Sequence, residues 1–319
     1  MKSLSKSSGA AGSRARVTQR LTLSTPALRL ELAPGIGGGI ARFDCLCDGQ
    51  PVPLFRAPGS GRVSDPTELA CFPLVPFSNR IGQGRFEFGG RTVEIEPNRA
   101  DEAGPIHGSG WLRAWRVESV SETHASLSLI ERGAPYAFYA AQHFELIDTT
   151  LRVRVEVENR GKSAMPFGLG LHPYLPRTPQ TLLLAPATGV WMAARNWLST
   201  RHLRTPAAYG YGIAYPLPGA MVNHAFTGWT GRARVLWPER GLALDIEADS
   251  DVYLLYTPSA KDWFCFEPVD HPVDAVNLPG GAAAHGMTVL APGERLERRY
   301  RFSADLFGAL PTWRAAGKA

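Results

Sequence analysis

The stretch LRVRVEVEN, residues 151–159, decides the fold class of this chain. Hydrophobic residues occupy every second position from Leu151 to Val157, and arginine or glutamate fills the positions between them. A period of two places successive side chains on opposite faces, so the stretch predicts an antiparallel strand with one face in a core. The same alternation recurs in the segments LRLEL (28–32), GLALDIEADSDVYLLYTP (241–258) and RLERRYRFSAD (295–305).

Turn signals separate these alternating runs. In RFEFGGRTVEIE, residues 85–96, two short alternating runs flank Gly89-Gly90, which is the pattern of a tight β-hairpin. The chain contains 33 glycines and 26 prolines, enough to end a strand about every ten residues, and no helical periodicity of any length. The sequence therefore predicts an all-β fold, a large antiparallel β-sandwich.

Charge divides the chain into a body and a basic tail. Five of the 34 basic residues and no acidic residue lie in residues 1–20, so the remaining 29 basic residues balance the 29 acidic ones. We expect a disordered basic tail at 1–20, a single catalytic β-sandwich domain at 21–310 and a C-terminal tail at 311–319. A body without net charge disfavours a nucleic-acid partner.

The chain shows no sign of membrane insertion or export. Its longest weakly polar stretch, TLLLAPATGVWMAA (181–194), is too short to cross a bilayer and is broken by Pro186 and Gly189. The N-terminal segment lacks the apolar core of a signal peptide. The cysteines have no zinc-ribbon spacing and are expected to be mostly buried thiols, which suggests a reducing, cytoplasmic location; they are Cys45, Cys47, Cys71 and Cys265.

Four loop-like segments combine ionisable residues with glycine, proline and aromatic residues. They are FPLVPFSNRIGQGRF (72–86), GPIHGSGW (104–111), GLGLHPYL (168–175) and FCFEPVDHPVDAVN (264–277). Because functional groups concentrate in loops held by a rigid scaffold, these segments hold the candidate site residues.

Three residues in these segments could perform acid/base chemistry. His107 is either a turn residue bonded to a nearby carbonyl or one half of an acid/base pair. His172 precedes a proline, which favours extended backbone at a strand end. Glu267 follows an apolar strand, where burial would raise its pKa toward a value suited to proton transfer; alternatively it faces outward in a salt bridge.

The same region also contains residues of the types that bind metals. Glu267, Asp270, His271 and Asp274 are close enough in sequence to suggest a zinc site, but Pro268 and Pro272 interrupt them and the sequence contains no His-Glu-x-x-His helix. Gly-x-Ser-x-Gly, the dinucleotide glycine fingerprint and the phosphate loop are also absent from the sequence. We therefore expect neither a metal nor a cofactor.

Taken in order, the segments resemble the aldose 1-epimerase (galactose mutarotase) family across about residues 35–303. The resemblance depends on Asn79-Arg80-Ile81 with Gly84 and Phe86, Ile106-His107-Gly108, His172-Pro173-Tyr174, NHAFTGW (223–229), and EPVDHPVDAVN (267–277) with LAPGE (290–294). It implies a galactose mutarotase-like supersandwich with a sugar cleft on one face, which agrees with the strand pattern.

The resemblance also implies roles for individual residues. Glu267 matches the family's catalytic base, which takes the proton of the C1 hydroxyl. His172 and His107 match its two active-site histidines; we assign His172 as the acid toward the ring oxygen and His107 as a second donor. Arg80 matches an arginine that contacts the sugar, with Asn79 beside it. Asn223 stands where many members have aspartate, which puts the preferred sugar in doubt.

Three functions remain open on the sequence. The first is interconversion of the anomers of a free aldose, with a small-molecule sugar as the partner. The second is the same reaction on a hexose 6-phosphate, for which Arg85, Arg99 and Arg113 lie near the motif segments. The third is a non-catalytic sugar-binding or regulatory protein on the same fold.

Overall fold

The computed structural model describes residues 20–56, 59 and 63–307. The tails predicted at residues 1–20 and 311–319 lie outside these described residues, apart from Arg20. No helix in the described part of the chain is long and apolar enough to cross a membrane.

Strands dominate the described residues. The first twelve are β1 Leu21–Ser24, β2 Leu28–Ala33, β3 Gly39–Cys47, β4 Gln50–Pro53, β5 Pro73–Leu74, β6 Arg85–Phe88, β7 Arg91–Glu94, β8 Arg116–Val120, β9 His124–Glu131, β10 Phe138–Ile147, β11 Thr150–Asn159 and β12 Met165–Phe167.

Thirteen further strands follow in the second half of the described chain. They are β13 Gly170–Leu171, β14 Tyr174–Pro176, β15 Leu182–Leu184, β16 Gly189–Ala193, β17 Ser199–Arg204, β18 Tyr215–Pro216, β19 Val222–Thr227, β20 Arg232–Trp237, β21 Leu242–Ala248, β22 Val252–Thr257, β23 Trp263–Val269, β24 Thr288–Leu290 and β25 Arg295–Leu306.

Helical structure is confined to single turns. The α-helix α1 covers Gly281–Ala284, and the 3₁₀ turns are Pro66–Glu68, Gly82–Gly84, Gly110–Leu112, Ala207–Tyr209 and Pro238–Arg240. The expectation of an all-β chain without long helices is confirmed for the described residues.

The strands form two large antiparallel sheets and three small ones. The nine-stranded sheet has the order β18-β15-β20-β21-β25-β11-β10-β9-β8, and the eight-stranded sheet has the order β17-β16-β19-β22-β23-β13-β5, with β14 also paired to β23. The smaller sheets are β1-β2-β3-β4, β12-β24 and β6-β7. Multiple antiparallel sheets were expected from the period-two pattern, and the structure confirms them.

Strand β11 shows the predicted alternation. Leu151, Val153, Val155 and Val157 are each no more than 1% exposed and enter the core. On the face predicted to be exposed, one residue departs from the pattern: Glu158 is only 6% exposed. Its carboxylate is covered by two arginines, which lie 2.6 Å (Arg160) and 2.8 Å (Arg295) away.

The predicted hairpin is also present. Strands β6 and β7 pair antiparallel, with Phe88 opposite Arg91, and Gly89-Gly90 forms the loop between them. Both glycines have positive φ, at 59° and 75°. Two consecutive left-handed residues are what a two-residue turn matched to the strand twist requires.

The main core lies between the two large sheets. Val153 and Phe302 of the nine-stranded sheet belong to the same cluster of buried residues as Tyr253 and Phe266 of the eight-stranded sheet. One ion pair spans this interior, because Arg298 of β25 points inward and its Nε lies 2.7 Å from Oδ1 of Asp270. The opposite face of the eight-stranded sheet carries a separate buried cluster that includes Phe72, Trp111 and Leu254.

Candidate active site

The strand register brings His172 and Glu267 together. Strand β23 pairs with β13 through Gly170 and Val269, and with β14 through Tyr174 and Cys265. The same register places His172, in the break between β13 and β14, opposite Glu267. Their side chains meet, with Nε2 of His172 3.3 Å from Oε1 of Glu267.

His107 is both a turn residue and a member of the site. It has φ 60° and is followed by Gly108 with φ 66°, so the chain reverses sharply here. The backbone N–H of His107 donates to the carbonyl of Asn79 at 2.9 Å. The N–H of Asn79 in turn donates to Nδ1 of His107 at 3.0 Å. Since Nδ1 accepts, the proton of the neutral ring lies on Nε2.

Aromatic rings hold the two histidines. Their ring centroids are 5.1 Å apart with an interplanar angle of 89°. Phe72 stacks on the His172 ring at 4.5 Å and on Trp111 at 5.0 Å. Because these contacts leave few alternative rotamers, the imidazoles are positioned before any ligand arrives.

Burial controls the protonation of this group. Glu267 is 1% exposed, and burial raises its pKa well above its usual range. Burial lowers the pKa of His172 to about 3, and that of His107 falls well below its usual value because of burial and the neighbouring His172. Both histidines are therefore neutral near pH 7, and burial favours the protonated form of Glu267, which places one proton within reach of both Glu267 and His172.

The polar residues predicted to bind substrate lie beside this group. Asn79 Oδ1 accepts a hydrogen bond from the backbone N–H of Arg80 at 3.0 Å. The guanidinium of Arg80 donates to both carboxylate oxygens of Glu102, at 2.8 and 2.5 Å. Asn223 is on β19, opposite Tyr256 of β22, and is half-buried.

All six predicted site residues line one cavity of about 240 Å³. The cavity is also lined by Arg99, one of the three arginines near the motif segments, and by residues that the sequence did not predict, which are Thr67, Phe72, Asp101, Glu102, Trp197 and Tyr256. The acidic residues at 101 and 102 lie in a segment that reads as an ordinary exposed loop. The contact that places Glu102 at the site is its ion pair with Arg80.

Two larger cavities contain none of the predicted site residues. One, of about 680 Å³, lies on the outward face of the nine-stranded sheet, and the other, of about 790 Å³, lies beside the β6–β7 hairpin. Paired titratable groups with shifted pKa values are a better guide to an active site than volume. We therefore assign the site to the smaller cavity.

The acidic and histidine residues considered for zinc do not converge. Asp270 pairs with Arg298, His271 Nε2 accepts from the N–H of Ser78 at 3.1 Å, and Asp274 accepts from the N–H of Gly82 at 2.8 Å. Each of these three side chains therefore stabilises a loop beside the site.

A different set of possible metal ligands lies inside the site. Atoms of His172, Cys265 and Glu267 lie within 4.8 Å of one another. Burial raises the pKa of the Cys265 thiol well above its usual range. A metal bound here would have to displace the thiol proton, and Cys265 does not line the cavity.

Comparisons with known proteins cover nearly the whole described chain. The family model described as aldose 1-epimerase matches residues 19–303. The uncharacterised Escherichia coli protein YphB is 35% identical over 283 residues, which are 86% of this chain and 94% of YphB.

Solved structures agree with the sequence comparisons. The crystal structure of a candidate aldose 1-epimerase from Escherichia coli K12 matches with a TM-score of 0.83 and 33% identity, covering 91% of this chain and 99% of that one. A galactose 1-epimerase from Lactobacillus acidophilus matches with a TM-score of 0.73 and 16% identity, over 91% and 95% of the two chains. The second match shows the galactose mutarotase-like fold alone.

Proposed function

Because the chain belongs to the aldose 1-epimerase family, we propose that it interconverts the α and β anomers of a free aldose. One observation carries the proposal: the six residues singled out from the sequence, spread from Asn79 to Glu267, converge on a single cavity. Its volume of about 240 Å³ is below the roughly 300–1,000 Å³ of cavities for drug-sized ligands. A monosaccharide is the substrate class that this size supports.

The charges around the cavity favour an unphosphorylated sugar. Arg80 is held by Glu102 in a two-point ion pair. Arg99 is held by Asp65 at 2.7 Å and by Asp101 at 2.8 Å. Both arginines are thus paired with protein carboxylates before a substrate binds, and among the described residues that line the cavity no other cation is present to bind a phosphate.

The other arginines considered for a hexose phosphate lie elsewhere. Arg113 pairs with Glu131 at 2.8 Å, and its side chain is 57% exposed. Arg85 is exposed on the β6–β7 hairpin, and neither residue lines the cavity. Among the described residues, the hexose 6-phosphate alternative therefore finds no unpaired arginine in the cavity to support it.

The shared proton of Glu267 and His172 suggests how the ring opens. Movement of that proton from Oε1 to Nε2 across 3.3 Å produces a carboxylate and an imidazolium. Glu267 then takes the proton of the C1 hydroxyl, His172 protonates the ring oxygen, and the bond between C1 and O5 breaks. The step therefore ends with Glu267 protonated and His172 neutral, which are the forms that burial favours.

Ring closure reverses these transfers on the other face of the C1 aldehyde. His172 removes the proton from the C5 hydroxyl as its oxygen attacks C1, and Glu267 returns its proton to the carbonyl oxygen. His107 supports both directions, because its Nε2–H is a neutral donor that can orient the ring oxygen. Each acid or base typically contributes about 10² to 10⁴-fold to the rate.

An anomerisation assay tests the function. The decay of α-glucose, α-galactose and α-glucose 6-phosphate is followed by polarimetry with the wild-type protein and with Glu267→Gln. We expect acceleration of at least one free aldose, and a loss of about 10²-fold or more in the variant, which keeps the shape but lacks the base.

Two results would replace the proposal. Faster conversion of the 6-phosphate than of any free aldose would favour the hexose-phosphate reaction. Binding of an aldose in calorimetry without acceleration by the wild-type protein would favour the non-catalytic alternative.

We also propose that the protein works in the cytoplasm. All four cysteines are free thiols, including Cys45 and Cys47, whose sulfur atoms are 3.7 Å apart. A reducing compartment is where such thiols persist. Localisation of a fluorescent fusion tests this proposal, and export of the fusion would contradict it.

A further inference from the structure

Five aromatic side chains line the cavity, and most of their faces are already covered. They are Phe72, Trp111, Tyr174, Trp197 and Tyr256. Phe72 is stacked between His172 and Trp111. The Arg56 guanidinium lies 3.9 Å from the centroid of Tyr174, whose ring also contacts His172 at 4.9 Å.

Trp197 and Tyr256 remain as half-buried rings. Tyr256 lies 6.0 Å from the ring of Trp263. Among the described residues, no aromatic ring or guanidinium lies within stacking distance of Trp197. Among the described rings that line the cavity, the Trp197 indole is therefore the large one that is not covered by another ring or by a cation.

The backbone of Trp197 is unusual for a bulky residue. It lies at the tip of the β16–β17 hairpin with φ 66°, in the left-handed region. Its N–H donates to the carbonyl of Ala194 at 3.0 Å, while the N–H of Ala194 donates to the carbonyl of Leu198 at 2.9 Å. Glycine or asparagine would adopt this conformation at lower cost.

The hairpin tip is anchored to the wall of the cavity. Leu198 packs against the cluster of buried residues that contains Phe72 and Trp111. Its Cδ1 lies 3.1 Å from the position that a Cβ on Gly82 would occupy, two residues from Arg80. The strained tip is therefore held in place by packing, and strained backbone held in this way is typical of functional positions.

We propose that Trp197 is the platform on which the apolar C–H face of a neutral pyranose stacks. The proposal rests on the proposed function, since it identifies the binding surface for the same substrate. Aromatic faces pack well on apolar surface, while Arg80, Asn79 and Asn223 offer polar groups to the hydroxyls. The strained turn at the hairpin tip acts by fixing the indole against the cavity.

The test uses a substitution that should separate binding from stability. Trp197→Gly removes the indole and relieves the left-handed strain, so we expect an unchanged or higher melting temperature. We also expect KM for the preferred aldose to rise by about tenfold, which corresponds to the loss of roughly 1.4 kcal/mol of stacking. The value of kcat should change much less, and Trp197→Phe should recover most of the affinity.

Trp191→Ala is the matched control on the same hairpin. Trp191 is also half-buried, but it packs against His202 and His285 and does not line the cavity. We expect KM for the preferred aldose to stay near the wild-type value in Trp191→Ala.

Several outcomes would overturn the inference. One is a lower melting temperature for Trp197→Gly with an unchanged KM, and another is an equal rise in KM for Trp191→Ala. If the wild-type protein binds an aldose without converting it, the proposed function fails, and calorimetric affinity of the same variants decides the role of Trp197. If the wild-type protein binds no aldose, both proposals fail.

Discussion

At the scale of single residues, the two histidines differ in their connections. His172 contacts the carboxylate of Glu267, whereas His107 is fixed by the backbone of Asn79. We expect His172→Asn to lower kcat by about two or more orders of magnitude, because it removes the proton donor. His107→Asn should cause a smaller loss, since it removes a neutral donor. Steady-state kinetics on the preferred aldose measures both, and the reverse order of severity would exchange the two roles.

The pKa directions at the site predict an unusual dependence of rate on pH. His172 and Glu267 together hold one proton between the pKa of His172, about 3, and the raised pKa of Glu267. Below about pH 3 a second proton prevents formation of the carboxylate, and above the pKa of Glu267 the shared proton is lost. We therefore expect kcat/KM to fall at both extremes, with the alkaline fall set by the raised pKa of Glu267, and to show no rise at about pH 4.3, where an exposed glutamate titrates.

A pH profile of kcat/KM between pH 3 and 10, corrected for the spontaneous reaction, measures this behaviour. A rise in kcat/KM through about pH 4.3 would show that Glu267 titrates as an ordinary exposed carboxylate. In that case the pair would not share its proton.

Asn223 is the residue at which the resemblance to the family implies aspartate in many members. Asparagine offers one acceptor and one donor at the reach where aspartate offers only acceptors. Because it lines the cavity, Asn223→Asp should change the ratio of kcat/KM between glucose and galactose, or between a hexose and a pentose. The pH profile should stay in place. A uniform change for all sugars would show that Asn223 does not determine specificity.

At the scale of elements, the turn at His107 and Gly108 sets the position of one histidine. A Cβ on Gly108 would lie 2.4 Å from Cδ of Pro76 and 2.6 Å from the carbonyl oxygen of Val75. We expect Gly108→Ala to lower the free energy of unfolding by about 1–3 kcal/mol more than the control substitution Gly90→Ala does. It should also lower kcat/KM, because the turn must shift to relieve the contact.

Gly90→Ala is the control for this prediction. Gly90 also has positive φ, at 75°, but nothing lies within 4 Å of a Cβ built on it. The two variants therefore share the backbone strain and differ in the steric clash. Urea unfolding of both variants measures the difference, and equal destabilisation would show that the turn at residue 108 adapts freely.

The elements also show what sequence patterns can predict here. The alternation at 151–159 predicted β11, and Gly89-Gly90 predicted the hairpin, because both depend on local periodicity and turn chemistry. Neither the burial of Glu158 nor the contact of Glu102 with Arg80 could be predicted. Glu158 is covered partly by its neighbour Arg160 and partly by Arg295 of β25, and Glu102 meets Arg80 across 22 residues of loop and hairpin; the tertiary part of each contact has no signal in a single sequence.

At the scale of the whole molecule, the family motifs grouped residues that converge on one cavity, which local patterns alone did not do. Motif order identified the residues that now line the cavity, including His107, which alone reads as a turn residue. Trp197 was not identified, because its importance depends on a left-handed backbone at a hairpin tip. The sequence NWLS around it is not a recognisable turn motif.

Removal of residues 1–18 tests the role of the basic tail. The family match begins at residue 19, and the first strand of the described chain begins at Leu21. We expect the truncated protein to keep its melting temperature and its kcat, because neither the family match nor the described core includes these residues. Differential scanning calorimetry and the anomerisation assay measure this, and a clear drop in melting temperature would show that the tail docks on the body.

The supporting contacts of the site span most of the polypeptide. Ser78, beside Asn79 and Arg80, binds His271, which is 193 residues away, and Asp270 next to it is held by Arg298. A ribosome must therefore release almost the entire domain before the groups of the candidate site can meet. Under the proposed function, nascent and prematurely terminated chains are expected to be inactive.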